Sequence, residues 1–314
     1  MAATVSGDRQ PNAISRFLYR QGRIGYLFVL PSILFITVFV LLPIIAAFYY
    51  SLTDYDLLKA PKLAGLKNYI QLKGDERFHR SIVNTLYFAF ATVPAGVITS
   101  LALAALINRQ IKAIYFFRAM FYMPVVSSFV AVSLIWVWLY EPNFGLFNDL
   151  LEAAGLPRSK WLLDAKTSML AIIILSVWKN MGLNMVIYLA GLQGIPPHLY
   201  EAAEIDGAGR GSLFWKITLP LLAPTTYFVV IVYFIGALQM FVQVFIMTAK
   251  PCGSCDPMMG GPLNSTVTVV VLVYENAFWY LKMGYASAMS FFLFVVIGIV
   301  SLLNARLLSY DIGY

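Results

Sequence analysis

At 314 residues the chain has the length of two soluble domains, yet 60% of its residues are hydrophobic, only 12% are charged and the mean hydropathy is +0.77. That balance excludes an ordinary soluble globular protein and marks an integral membrane protein. The formal net charge of +7 does not point to nucleic acid: no basic run carries interleaved aromatics, and Lys and Arg flanking apolar segments are a membrane signature.

In chain order, residues Met1 to Arg23 are polar, with Arg9, Arg16, Arg20 and Arg23, and no charge occurs from Ile24 to Thr53. That run exceeds the roughly 7 to 15 apolar residues of a signal-peptide core, and no Ala-x-Ala site follows it, so it reads as a retained membrane helix. A span takes about 20 apolar residues, and charge-free intervals supply six. The first runs from Tyr26 to Tyr50 with Pro31 and Pro43 inside, the second lies between Arg80 and Arg109, and the third between Arg118 and Glu141. The fourth, Thr167 to about Gly194, is interrupted by Lys179; the fifth covers Leu221 to Ala249 and the sixth lies between Lys282 and Arg306. An even count puts both termini on one side. With the termini inside, Lys and Arg number ten inside and eleven outside, nearly balanced. The N-terminus and the 109–118 loop hold seven bases against the single acid Asp8 while the opposite loops mix eleven bases with ten acids, and the termini are placed inside mainly on the loop motif at 201–220.

No internal repeat or long linker divides the chain. The expected organisation is a cytoplasmic N-terminal segment (1–25), a six-helix membrane domain (26–306) and a short cytoplasmic tail (307–314). The loops 54–80 and 141–166 are too short for a folded domain and read as surface for a partner. Loop 250–282 is rich in turn formers, and its apolar run Thr266 to Val273 is expected to pack against the bundle as a short re-entrant or surface helix.

The most specific stretch is a polar, Gly-rich island at 197–220. Pro196 and Pro197 suit the first turn of a helix, the acids Glu201 and Glu204 follow, and Gly207, Gly209 and Gly211 allow a sharp reversal. Ser212 is placed to cap a second short helix carrying Leu213, Phe214 and Ile217. The pattern Glu201-Ala202-Ala203, three residues, Gly207, nine residues, Ile217, one residue, Leu219-Pro220 resembles the cytoplasmic loop of importer-type ABC permeases at every defined position. Tyr200-Glu-Ala-Ala-Glu-Ile-Asp-Gly-Ala, Gly25-Tyr-Leu-Phe-Val-Leu-Pro31, Tyr50-Ser-Leu-Thr-Asp54 and Gly260-Gly-Pro262 before Thr266 are similar to the carbohydrate-uptake branch, of the maltose and glycerol-phosphate type.

The resemblance implies an all-α integral membrane protein with the type I ABC importer permease fold, in a bacterial cytoplasmic membrane. It implies a second permease subunit as heterodimer partner, two ATPase subunits that bind the ATP and magnesium, and an extracytoplasmic solute-binding protein. Residues Glu201, Ala202, Ala203, Asp206, Gly207, Ile217, Leu219 and Pro220 then form the ATPase-coupling loop, with Glu201 a polar anchor. It also places the solute, a sugar, oligosaccharide or related polyol, between the helices before and after this loop.

On the residues alone, Lys179, Asn180 and Asn184 form a polar arc in mid-span of the fourth helix, with Ser176 on a neighbouring face. Two readings stand: a wall facing solute, in which Lys179 hints at an anionic one, or a lysine satisfying backbone carbonyls or a neighbour's carboxylate. Gln239 and Gln243 sit at i, i+4, with Tyr233 and Met240 nearby, as a second wall or as interhelical glue. Amides and phenols suit sugar hydroxyls, and the rings of Tyr233, Phe241 and Trp178 suit apolar sugar faces.

Cys252 and Cys255 form an isolated CxxC, read as an oxidised pair stiffening an outer loop or as two free thiols; only His79 and His198 could complete a metal site, and they are placed on opposite sides. Nothing fits G-x-x-x-x-G-K-[ST], a nucleophile elbow or a paired-carboxylate cluster, so the chain reads as a non-catalytic subunit with no cofactor and no metal of its own. The rival classes are an ion-coupled secondary transporter using Lys179, weakened by the absence of embedded Asp or Glu, and a membrane enzyme acting on lipid-linked sugars, for which Glu141, Asp149, Glu152 and Asp164 form no convincing constellation.

Overall fold

A computed structural model describes residues 21–108, 114–248 and 259–307. Arg9, Arg16, Arg20, Arg109, Lys112, Cys252, Cys255 and the tail 308–314 lie outside these residues.

The first span is α1 (Gln21–Ile36), a π turn (Thr37–Leu41) and α2 (Leu42–Ser51) in continuous register. The π turn has a local cause: Pro43 brings no N–H to the ladder, and just before it the Leu42 amide reaches back five residues to the Thr37 carbonyl. A short hairpin, β1 (Thr53–Asp54) against β2 (Lys62–Leu63), leads into α3 (Lys67–Gly74). Helix α4 (Glu76–Ile107) starts on Asp75, whose carboxylate accepts the Phe78 amide, and crosses the whole bundle against α8 (Ser168–Gln193), which follows the short helix α7 (Leu146–Ala153). These two are the central pair. The last span, α15 (Met283–Leu307), packs on α2, so the far end of the first helix stands clear of the rest, with Phe28, Leu34, Phe35 and Phe39 exposed.

Four stretches are long and apolar enough to cross a bilayer: Phe28–Ser51, Glu76–Ile107, Ser168–Gln193 and Met283–Leu303. The other two expected spans are bent rather than straight. Helices α5 (Ile114–Val126) and α6 (Phe129–Leu139) meet at 98°, because Pro124 and the Ser127–Ser128 pair interrupt the ladder and Ser128 is extended. The fifth span enters through α10 (Arg210–Leu213), a π turn (Phe214–Thr218) and α11 (Leu219–Leu221), bends by 62° into α12 (Ala223–Leu238), breaks again at residues 239–241 and ends in α13 (Val242–Thr248). Before Pro220 the Leu219 amide reaches back to Phe214, the same device as before Pro43. Counting each bent pair as one span gives six.

Two apolar clusters fill the bundle. One gathers Phe88, Trp136, Tyr140, Leu175, Met240, Leu272 and Met289; the other, toward the 197–220 loop, gathers Ala104, Met185, Tyr188, Leu192, Leu222 and Val229. Between α5 and α8 the backbones touch: a Cβ on Gly182 would lie 2.1 Å from the Phe121 carbonyl oxygen, so only glycine fits.

The run after residue 259 enters the bundle as expected. Helix α14 (Val269–Tyr274) continues into a π turn (Glu275–Trp279), with Val267, Val271 and Leu272 fully buried. Glu275 is fully buried and accepts two hydrogen bonds from Arg77 at 2.6 and 3.0 Å, while Arg77 also donates to the Asn264 side chain and the Met259 carbonyl. The Met259 amide returns a bond to Glu275, and Asn84 donates to the Asn264 and Val267 carbonyls. An embedded acid does exist, but it is paired.

Candidate functional site

A cavity of about 280 Å³ opens where α4, α6, α8 and α12 approach the break at residues 239–241. Phe88 comes from α4, Phe129 from the first turn of α6, Ser176, Asn180, Leu183 and Asn184 from α8, Tyr233 and Gly236 from α12, and Gln239, Met240, Phe241 and Gln243 from the break and α13. Six of the seven expected solute residues line this one space; Lys179 does not.

The two walls are polar in different ways. On α8 the Asn180 amide donates to the Ser176 carbonyl at 2.8 Å, and the Tyr233 hydroxyl reaches the same carbonyl at 3.4 Å. Among the described residues, Ser176 Oγ and Asn184 Nδ2 are buried with no hydrogen-bond partner. A buried polar atom without a partner costs about 1 to 3 kcal/mol, and both atoms lie beneath the cavity wall rather than on its surface. On the other wall, Gln239 and Gln243 do not share a helix face, because the helix ends at Leu238: Gln239 is exposed at the break and Gln243 is buried on α13. The break is held by Thr268, whose hydroxyl donates to the Met240 carbonyl at 3.0 Å. Trp178, expected as a sugar platform, packs instead at a tilt of 49° against Trp136, 5.3 Å between ring centres.

Lys179 takes the second of its two readings. Its ammonium donates to the carbonyls of Pro124, Val125 at 3.1 Å and Ser127 at 2.8 Å, at the end of α5, and lies 5.5 Å from the centre of the Phe129 ring. Three donors meet three acceptors. The rotation of about 100° per residue that turns Asn180 to the cavity turns Lys179 to the neighbouring helix. The expectation of a solute-contacting lysine is therefore corrected: its charge is spent on the carbonyls that the α5–α6 break leaves open.

A second site is the exposed island. Helix α9 (Pro197–Ile205) closes in a Schellman motif: the Ala208 amide bonds the Ala203 carbonyl at 2.9 Å, the Gly207 amide bonds Glu204 at 3.0 Å, and Gly207 sits at φ +81°. The Tyr200 hydroxyl meets Thr218 at 3.0 Å and ties the two halves of the loop together. Glu201, Ala202, Asp206, Gly207 and Pro220 are exposed, whereas Ala203, Ile217 and Leu219 are half-buried. The second helix begins at Arg210 after Gly209 and has no side-chain cap, so Ser212 does not start it. Ile205, 87% exposed, and Trp215, 67% exposed, are apolar surface that the motif did not single out.

A Cβ on Gly207 would meet nothing within 4 Å, so the demand for glycine there is conformational alone. Gly207→Ala is expected to cost about 1 kcal/mol and Gly207→Asn less, since asparagine tolerates the left-handed region. Thermal midpoints of the purified chain check this, and equal midpoints for the three proteins would remove the strain argument.

The family model described as Binding-protein-dependent transport system inner membrane component matches residues 76–309. The chain is 34% identical over 303 residues to the probable ABC transporter permease protein YesP of Bacillus subtilis, covering 96% of this chain and 95% of that one. It is 32% identical over 287 residues to the trehalose/maltose transport system permease protein MalF of Thermococcus litoralis (91% and 94% covered) and 34% identical over 285 residues to the lactose transport system permease protein LacF of Rhizobium radiobacter (89% and 92%). Among solved structures, a chain of a bacterial ABC transporter for import of the acidic polysaccharide alginate has the same fold, with a TM-score of 0.79, 23% identity, and 96% and 99% of the two chains covered.

Proposed function

The chain belongs to the family of binding-protein-dependent transport system inner membrane components, the permease subunits of ABC importers, and from that premise we propose that it carries a sugar, oligosaccharide or related polyol across a bacterial cytoplasmic membrane. The observation that carries the solute class is the cavity: amides from two walls, a phenol and aromatic rings converge on one space. Such groups both donate to and accept from hydroxyls, and the rings fit the C–H faces of a sugar.

In this reading a solute-binding protein delivers cargo to the outer side. A second permease subunit completes the pathway, and two ATPase subunits, which hold ATP and magnesium, grip the loop 197–220 from the cytoplasm. Glu201, Asp206, Ile205 and Trp215 are its presented surface. The stiff Schellman turn at Gly207 and the Tyr200–Thr218 bond let the loop move as a body, so ATPase closure reaches α12 through α10 and α11 and alternates access to the cavity. Both termini then face the cytoplasm. The one-domain organisation over 26–306 follows from the same reading. An ion-coupled carrier built on Lys179 is disfavoured by the occupation of all three of its donors.

The test is co-purification from the native membrane, followed by ATPase assays of wild type beside Glu201→Ala and Gly207→Asp. An associated ATPase whose solute-stimulated hydrolysis falls at least tenfold in both variants is expected. A lone chain that transports without ATPase partners, indifferent to both substitutions, would overturn the reading.

A further inference from the structure

We propose that the hairpin 53–63 and helix α3 form a foot on the bilayer surface of the leaflet opposite the N-terminus, with leucines in the upper acyl layer and lysines on the phosphates of anionic phospholipids. The proposal rests on the membrane spans and is independent of the solute carried.

Depth comes first. The first span ends at Ser51 and the hairpin opens at Thr53, so β1 starts at the level where the bilayer meets water. The tyrosines agree with that level: Tyr49 is exposed and Tyr50 stacks on Tyr55 at 5.1 Å, and tyrosine is enriched where membrane meets water. The hairpin is also tied down. The Asn68 side-chain amide donates to the Ser51 and Thr53 carbonyls, both at 2.9 Å, and the Gly284 amide donates to the Tyr55 carbonyl at 3.0 Å. A Cβ on Gly284 would lie 2.1 Å from the Thr53 carbonyl oxygen, so α15 and the hairpin touch through their backbones.

The surface fixed in this way is apolar and basic together. Leu58 at the hairpin tip is 79% exposed, Leu63 is 80% exposed and Ile70 is 73% exposed. On α3, Asn68 and Leu72 turn inward, which leaves Leu66, Ile70 and Lys73 at i, i+4, i+7 as one outer stripe. Between residues 53 and 73 four lysines meet two aspartates. Lys59 pairs with Asp56 at 3.7 Å and Lys67 with Asp54 at 2.9 Å, while Lys62 and Lys73 have no ion-pair partner among the described residues.

That mixture selects the occupant. The buried core of a protein interface is depleted of lysine, whereas here lysines and leucines interleave. A lipid surface takes both: the leucines enter the acyl boundary, the lysine stems lie along it and the ammonium groups reach the phosphates. Two unpaired ammonium groups select headgroups of net negative charge, and Phe48 and Tyr49, exposed near the end of the same span, continue the apolar surface into the bilayer.

The test places the full-length chain in nanodiscs, with Cys252→Ser and Cys255→Ser and a bimane on one introduced cysteine: Leu58→Cys, Leu63→Cys or, as the water-facing reference, Glu204→Cys. Nitroxide-labelled lipid quenches from the bilayer and iodide from water. All three side chains are exposed, so the labelled chains are expected to keep the wild-type thermal midpoint. Positions 58 and 63 are expected to be quenched by nitroxide lipid and shielded from iodide at least fivefold relative to position 204. Nitroxide-labelled phosphatidylglycerol is expected to be preferred locally over phosphatidylcholine by about fivefold for each unpaired lysine, the equivalent of about 1 kcal/mol apiece, and the preference is expected to fall in steps in Lys62→Gln and in Lys62→Gln with Lys73→Gln. Iodide reaching positions 58 and 63 as freely as position 204 would overturn the proposal and return this face to a protein partner. Equal quenching by the two lipids, unchanged by the glutamines, would overturn the anionic headgroup site.

Discussion

Replacing Lys179 with methionine is expected to destabilise the folded chain by about 3 kcal/mol, although the side chain is only one residue from the cavity and of nearly the same length. A hydrogen bond from a charged donor is worth about 1.5 to 3 kcal/mol, and methionine would strip the carbonyls of Pro124, Val125 and Ser127 of theirs together. Part of that loss is returned, because the buried ammonium no longer has to be kept out of water. What remains is set by the surroundings. Open carbonyls at membrane depth are tolerated only where protein satisfies them, and the close approach at Gly182 keeps α5 too near α8 for water to substitute freely. Lys179→Gln, which keeps two donors, is expected to fall between methionine and wild type. Thermal unfolding of the purified chain reads all three, and an unchanged midpoint for Lys179→Met would mean that the α5–α6 break does not depend on this clamp. The Phe129 ring, held beside the ammonium and lining the cavity, links the clamp to solute binding.

Much of the architecture was legible because it rests on local rules. Charge-free length located five of the spans, apolar length located the fourth despite Lys179, and the proline-helix, glycine-turn order at 197–220 located the exposed loop. The breaks were not legible. Gln239 and Gln243 stand at helical spacing, yet the chain between them leaves the helix because the Met240 carbonyl is taken by Thr268, a partner 28 residues away. Residue spacing carries no trace of such a partner. Lys179 is the same case in reverse: its chemistry was readable, its direction was not, since that depends on where α5 ends. Glu275 carries no local sign of its role, because its guanidinium partner lies 198 residues earlier in the chain. The signal that could have found it is compositional: a lone Glu between Val269–Tyr274 and Asn276–Trp279, in a stretch too apolar to be surface.

That pair is the basis of the other large expected effect. Arg77→Ala should destabilise the chain by about 3 to 5 kcal/mol, the cost of leaving a fully buried carboxylate unpaired, and Glu275→Ala by less, since Arg77 keeps the Asn264 and Met259 acceptors and some access to solvent. The double variant Arg77→Met with Glu275→Met tests the mechanism rather than the magnitude. If the penalty of the single variants is the orphaned charge, two apolar side chains of matching length should recover most of it, because the pair as a whole contributes little net stability once its desolvation is counted. A double-mutant cycle on chemical or thermal unfolding then gives a coupling of about 2 kcal/mol or more. Additive losses would mean that the bidentate bond is incidental and that the segment 259–279 is held by its apolar contacts alone. The recovered double variant is also expected to lose transport while keeping its fold. The network ends at Met259 and Asn264, and the same segment reaches the Met240 carbonyl at the cavity break through Thr268, so weakening its outer anchor frees the residues that set the position of Gln243. Stability restored with transport lost would separate the two duties of this ion pair: it holds the re-entrant segment in place, and through that segment it holds the shape of the cavity.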